Sequence, residues 1–164
     1  HNYKNKNKNV YKVSYLGRNT HPVRQALEES FSNLEGYSIK NLKSDGVNKK
    51  DMKKFKKIMS SSIFSLCPRG YGPASFRFYE SLEIGAIPIY VSDKFILPYR
   101  DIIDWDKLCL LVGLDEIESI PDRVDKIINS NLHYEMFEYG NYCFEKYFNN
   151  NFISKNIIET VSKF

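Results

Sequence analysis

SIFSLCPRGYGPASFRFYESLEIGAIPIYV, residues Ser62 to Val91, spells a complete strand, loop, helix and strand. Ile63 to Leu66 is a short apolar run ahead of Pro68, which lacks a backbone donor and suits the end of a buried strand. An eight-residue loop, Pro68 to Ser75, follows. Within it Gly70 and Gly72 allow close backbone approach to a ligand or positive φ, and Ser75 is a good N-cap for the next helix. That helix runs to about Glu83. Phe78 and Leu82 lie four apart on one face, Arg77, Glu80 and Ser81 share another, and Gly85 is placed as the stop. Ile87 to Val91 is the second buried strand.

A helix N-terminus carries unpaired N–H groups and a partial positive charge, so a glycine-containing loop emptying into one is a ready anion site. Two arginines flank this one. Arg69 lies in the loop and Arg77 in the first helical turn, where a cation opposes the local dipole unless something negative compensates. Glu80, one turn further, could accept hydrogen bonds from vicinal hydroxyls such as those of a ribose. The plainer alternative is a strand–helix–strand unit in which Arg77 only pairs with Glu80 at i, i+3. Loop, cap and both guanidiniums converge, which favours the anion site.

From Pro68 to Trp105 the run PRGYGPASFRFYESLEIGAIPIYVSDKFILPYRDIIDW resembles the exostosin-type (GT47) glycosyltransferases. Their pattern is approximately PRG, a short loop, S-x-R-x-x-E, G-x-IP, a proline-containing loop and DW. Upstream, VSYLGRNTHPVRQAL is more weakly similar to the opening strand and helix of the same domain. The resemblance implies a GT-B fold, in which two Rossmann-like domains face each other and the C-terminal one holds the nucleotide-sugar donor. This chain looks like that C-terminal half alone, an α/β domain with a Rossmann-like, doubly wound parallel sheet flanked by helices. One departure stands out. Animal members often carry further basic residues just after PRG, where this chain has Tyr71 and Gly72.

At 164 residues the chain suits a single domain over residues 10–164 and is too short for both halves of a GT-B enzyme. Charged residues make up 27% and hydrophobic ones 42%, ordinary for a soluble globular protein, and no apolar run approaches the roughly 20 residues that span a bilayer. No membrane segment is expected. The net charge of +4 is concentrated in the opening KNKNKN and in the cluster Lys49 to Lys57, which argues against a general polyanion binder. Cys67, Cys109 and Cys143 are odd in number, far apart and set in apolar surroundings, as reduced core thiols are. A cytoplasmic location follows, or the Golgi lumen if a longer protein carries a signal anchor.

Residues 1–9 are polar and low in complexity, the composition of a disordered linker. Val10 to Leu16 reads as the first strand, and Thr20 can cap a helix with Pro22 in its first turn and Val23, Leu27, Phe31 and Leu34 as the buried stripe. In a doubly wound sheet ligands bind beyond the carboxyl ends of the strands, so Gly17, Arg18, His21 and Arg24 could face the same crevice as Arg69. His21 could equally be a surface or capping residue. Tyr37 to Leu42 reads as a strand, and a helix starting near Asn48 or Asp51 would bury Met52, Phe55, Ile58 and Met59 beneath a face of lysines. Such a face is ordinarily solvated helix surface.

Beyond the central unit, Ser92 to Asp101 reads as a loop and Leu108 to Val112 as a strand. Asp104, Trp105 and Asp106 spell a DxD, a metal-holding motif in GT-A enzymes, but the resemblance assigns this DW to the framework. Pro121 suits the first turn of a helix with Val124, Ile127 and Ile128 inward. Tyr134 to Phe148 is a second, aromatic helical segment with Met136, Gly140, Cys143 and Tyr147 on one side, and Ile153 to Phe164 a last helix.

The resemblance implies an exostosin-like glycosyltransferase that transfers a sugar from a nucleoside diphosphate donor, UDP-sugar, to a glycan acceptor with inversion. The donor-binding residues expected are Arg18, Arg24, Arg69, Gly70, Ser75, Arg77 and Glu80. Arg69 and Arg77 would stabilise the departing diphosphate, and no metal or other cofactor is expected. The general base would come from an N-terminal GT-B domain, in the same protein or on a partner chain. A non-catalytic nucleotide- or sugar-binding module is the alternative from another class. A basic nucleic-acid-binding module on the Lys49 to Lys57 helix is a third, but no nucleic-acid partner is expected.

Overall fold

The computed structural model describes residues 10–42 and 49–148, with side chains from residue 53 onward in the second segment. The expected linker over residues 1–9 and the last helix, Ile153 to Phe164, lie outside the described residues. Five strands alternate with helices in chain order: β1 (Tyr11–Arg18), α1 (Pro22–Phe31), β2 (Tyr37–Leu42), α2 (Lys49–Ser60), β3 (Ser62–Pro68), α3 (Phe76–Ile84) and β4 (Ile87–Val91). After these come α4 (Trp105–Leu108), β5 (Leu110–Val112), a 3-10 turn (Ile117–Ser119), α5 (Ile120–Asn129), α6 (Leu132–Cys143) and a π-helical turn (Phe144–Phe148).

All four strand pairings are parallel, in the order β2-β1-β3-β4-β5. Val13 pairs with Tyr37 on one side and Phe64 on the other, Phe64 with Ile87, and Ile89 with Leu110. Alternation along each strand divides the core in two. Phe64, Leu66, Ile87, Ile89 and Val91 join Val23, Leu27 and Phe31 of α1 and Val124 of α5 in one cluster. Cys67 and Tyr90 turn the other way, into a second cluster with Phe78 and Leu82 of α3, Trp105 and Leu108 of α4, and Cys143 of α6. Helices therefore cover both faces, which is the Rossmann-like α/β architecture read from the sequence.

The central unit forms where expected. Gly85 ends α3 at φ 76 and ψ 36, a left-handed conformation that costs a side-chain-bearing residue roughly 1–2 kcal/mol. Its N–H bonds back to Leu82 and Ser81, the usual helix stop. Several outer boundaries differ. β1 extends to Arg18 because its carboxyl half pairs with Asn41 and Leu42 of β2. Leu34 falls beyond α1 and is exposed, since Ser32 already caps that helix. Leu108 belongs to α4 and not to a strand, because Asp104 accepts from Lys107 N–H and starts a helical turn that delays β5 to Leu110. Ser81 lies one turn after Arg77 and donates to its carbonyl, as that shared face expects, but it is fully buried against Met59 while Glu80 is exposed. Among the described residues, β2 and the three-residue β5 are the sheet edges, and no helix is long and apolar enough to cross a membrane.

Candidate functional site

The strand order reverses at β1: the chain leaves it for β2 on one side and returns to β3 on the other. The carboxyl ends of β1 and β3 therefore diverge, and in open parallel sheets the crevice at this reversal is where ligands bind. A cleft of about 360 Å³ opens there. Arg18, Thr20, Arg24, Arg77 and Glu80 are its polar lining, and Leu16, Gly17, Leu42, Phe55 and Tyr71 the rest.

Arg24 reaches from α1 over the ends of both strands. Its Nη1 donates to Arg18 O at 3.0 Å, its Nε to Arg69 O at 2.8 Å, and its Nη2 to Pro68 O at 3.0 Å. One planar fork thus holds the divergence of β1 and β3 at a fixed width. Those bonds use three of its five N–H hydrogens, and the Tyr15 hydroxyl is a further neighbour of the rest. The side chain of Asn41 secures the same helix, donating to Arg24 O at 2.8 Å and to Glu28 Oε2 at 2.7 Å.

Arg77 stands in the first turn of α3, but its guanidinium does not stay there. Its Nη1 donates to Leu16 O on β1, and its head lies 4.1 Å from the centre of the Phe55 ring and 5.5 Å from that of Tyr15. Glu80 Oε2 is 3.6 Å from its Nε. A half-exposed ion pair of that length contributes about 0–1 kcal/mol, whereas a carbonyl bond and a desolvated aromatic face each contribute as much or more. Pairing with Glu80 alone therefore does not account for Arg77. Burial lowers the Arg77 pKa from its ordinary value, with Tyr15 and Glu80 opposing, yet an arginine remains a cation. Among the described residues its Nη2 has no hydrogen-bond partner.

Arg69 turns away from this cleft. Its Nη1 bonds Asp93 beyond β4, and its Nε is buried with no partner among the described residues. Partial desolvation pulls the Asp93 pKa upward, but the bond and charge of Arg69, its own backbone N–H and Ser92 together outweigh it, and the carboxyl sits below its ordinary value. Gly70 lies under Arg24: a Cβ there would come within 3.1 Å of Arg24 Nη2 and of Thr20 Oγ1, a tight contact to which those side chains would have to give way. Ser75 is the buried N-cap of α3 by position, but its hydroxyl makes no capping bond and its carbonyl accepts from Phe78 N–H at 3.0 Å. Of the expected donor-binding set, the cleft gathers Arg18, Arg24, Arg77 and Glu80, while Arg69, Gly70 and Ser75 stand around it.

His21, not Thr20, is the N-cap of α1. Its Nδ1 accepts from Val23 N–H at 3.2 Å. Burial and the nearby Arg69 cation lower its pKa, with Asp93 opposing. The DxD is also structural in its bonds: Asp104 Oδ1 accepts from Lys107 N–H at 3.3 Å, its Oδ2 lies 3.2 Å from Lys107 Nζ, and Trp105 is buried between Phe78 and Phe148. Cleft residues that the sequence did not single out for a site are Leu16, Thr20, Leu42, Phe55 and Tyr71. Only the topology brings them together.

A five-stranded parallel sheet with helices on both faces is a Rossmann-like α/β domain, and an arginine-rich cleft lies at its strand-order reversal. Residues 4–129 match the Exostosin GT47 domain model, and the chain belongs to that family. The curated relatives agree. Over 72 residues it is 38% identical to the Exostosin-1 homolog of Caenorhabditis elegans, covering 44% of this chain and 19% of that protein. It is 42% identical over 72 residues to a protein of Oryza sativa subsp. japonica named as a probable glucuronosyltransferase, covering 44% of this chain and 16% of the relative. Probable glucuronosyltransferase 47 A of Physcomitrium patens is 38% identical over 80 residues, 49% of this chain and 17% of the relative. The matched segments thus span less than a fifth of each relative.

Proposed function

We propose that this domain binds the nucleoside diphosphate part of a sugar donor, UDP-sugar, for inverting transfer of the sugar to a glycan acceptor. The observation that carries this is the meeting of Arg18, Arg24, Arg77 and Glu80 in one cleft at the β1/β3 reversal. Arg77 and the α3 N-terminus supply positive field where charge grows on the departing diphosphate, a role that asks for preorganised donors and no covalent chemistry from the protein. The carbonyl and aromatic contacts of Arg77 hold its head in place before a ligand arrives. Arg69, tied to Asp93 and turned from the cleft, would reach the diphosphate only by leaving that ion pair. Glu80, a half-exposed acceptor one turn along α3, suits the ribose hydroxyls.

The acceptor and the general base belong to the N-terminal half of a GT-B enzyme, so the isolated chain binds donor and transfers nothing. Calorimetric titration with UDP, GDP, CDP and ADP, each with and without EDTA, tests the binding. UDP should bind and EDTA should change little. A requirement for Mn²⁺ or Mg²⁺ that disappears in Asp104→Ala would move the site to the DxD. Binding without turnover in the full-length protein is a second reading, favoured by the way Arg69 is tied to Asp93 and most of the Arg24 fork to carbonyls.

A further inference from the structure

We infer that Tyr71 is a stacking platform for the nucleobase of the bound nucleotide, an inference that rests on the nucleotide reading of the β1/β3 cleft. Tyr71 lines that cleft and is 90% exposed, as is Phe76 in the first turn of α3, but of the two only Tyr71 lines the cleft. Its loop is not loose. At one end Arg69 N–H bonds Val91 O at 2.9 Å, and Arg24 grips the carbonyls of Pro68 and Arg69. At the other, Pro73 O accepts from Tyr90 OH at 3.1 Å and from Ser92 Oγ at 3.2 Å. Between them Gly70 N–H bonds Gly72 O at 3.2 Å, a tight turn with Tyr71 at its tip.

A ring held out on a fixed turn has little conformational freedom left to lose when something covers it. A ligand that is flat and apolar on its faces fits it, and the arginines of the same cleft suit an anion. Phe55, Leu42 and Leu16 line the same cleft, so a planar ring that stacks on Tyr71 enters a partly apolar space. In a nucleoside diphosphate the base is such a ring, and the diphosphate is the anion. Base stacking on one aromatic side chain is worth about 1–3 kcal/mol per base. It tolerates different bases, so Tyr71 adds affinity for the base while choice among bases comes from elsewhere.

The experiment compares UDP with inorganic pyrophosphate, which lacks a base, on the wild-type domain, Tyr71→Phe and Tyr71→Ala. Tyr71→Ala should weaken UDP by about 5- to 100-fold and leave pyrophosphate unchanged, while Tyr71→Phe keeps UDP near wild type. An exposed side chain at a turn tip also predicts an unchanged Tm for both variants. UDP binding by Tyr71→Ala equal to wild type overturns the platform and spares the nucleotide site. Equal loss of UDP and pyrophosphate also overturns it, by making Tyr71 a phosphate-loop residue. If the wild type binds neither compound, the nucleotide reading itself falls and Tyr71 with it.

Discussion

Arg24 Nη2 donates to the carbonyl oxygen of Pro68 at 3.0 Å, across 44 positions of sequence, and its other bonds tie the same guanidinium to the end of β1. Arg24→Ala leaves the Pro68, Arg69 and Arg18 carbonyls to find other donors at the point where two strands part. With hydrogen bonds to charged groups worth about 1.5–3 kcal/mol each, and part of that site open to solvent, a net loss of about 2 kcal/mol is expected. In a domain of this size that is a fall in Tm of roughly 4–8 °C. Arg24→Lys should recover only part of it, because an ammonium cannot fork to three carbonyls. Unchanged melting of Arg24→Ala would show that the clamp holds nothing.

Arg77→Ala should lower both stability and ligand affinity. The change strips Leu16 O of its donor and bares the face of Phe55, so melting falls. Loss of a charge-assisted bond to phosphate weakens UDP by roughly one to two orders of magnitude. Melting curves and UDP titrations on the same sample separate the roles. A variant that melts early but binds UDP normally would confine Arg77 to the framework.

His21 gives the fold a pH dependence of definite sign. Burial and Arg69 lower its pKa in the folded state, so the unfolded chain takes up a proton first as pH falls. The contribution of His21 is present above its unfolded pKa, near 6.5, and is lost as pH falls through the lower folded value. Protonation also removes the Nδ1 lone pair that caps Val23 N–H. Stability measured by urea unfolding should therefore decline from pH 7 to pH 5, and His21→Asn, which keeps an acceptor but cannot titrate there, should decline less. Parallel curves for the two proteins would remove His21 as the cause.

The three cysteines are free and buried. Burial pushes the Cys67 thiol up to about 12, opposed by its bond with Ser81, and raises Cys109 and Cys143 as well. Thiolates are the reactive species. A thiol reagent such as DTNB should thus leave the native protein unlabelled at pH 8 and label all three on denaturation. Rapid stoichiometric labelling of the native protein would contradict their burial.

The central unit was legible because its signals are local. Unbroken apolar runs make β3 and β4, Phe78 and Leu82 set the buried face of α3, and a glycine ends the helix at Gly85. The resemblance of Pro68 to Trp105 rests on the same contiguous stretch. The cleft was only half legible, since Leu16, Leu42 and Phe55 come from three elements that meet only when β1 settles between β2 and β3. Spacing suggested that Arg24 faces the crevice, but that its donors go to carbonyls depends on the adjacency of β1 and β3. An imidazole can cap a helix as a hydroxyl does, and nothing in the local sequence chooses His21 over Thr20.

The two borders of the sheet bear on how the protein behaves in crowded solution. An open strand border is a template on which another chain can add, the first step toward fibrous aggregates. Here β5 offers only three residues before Gly113, and β2 presents exposed Lys40 near its middle. A short border and a charged one both resist strand addition, so the finished sheet does not grow. The vulnerable species is instead a chain caught before β5 has docked, when the whole of β4, five buried residues with no charge among them, is the border.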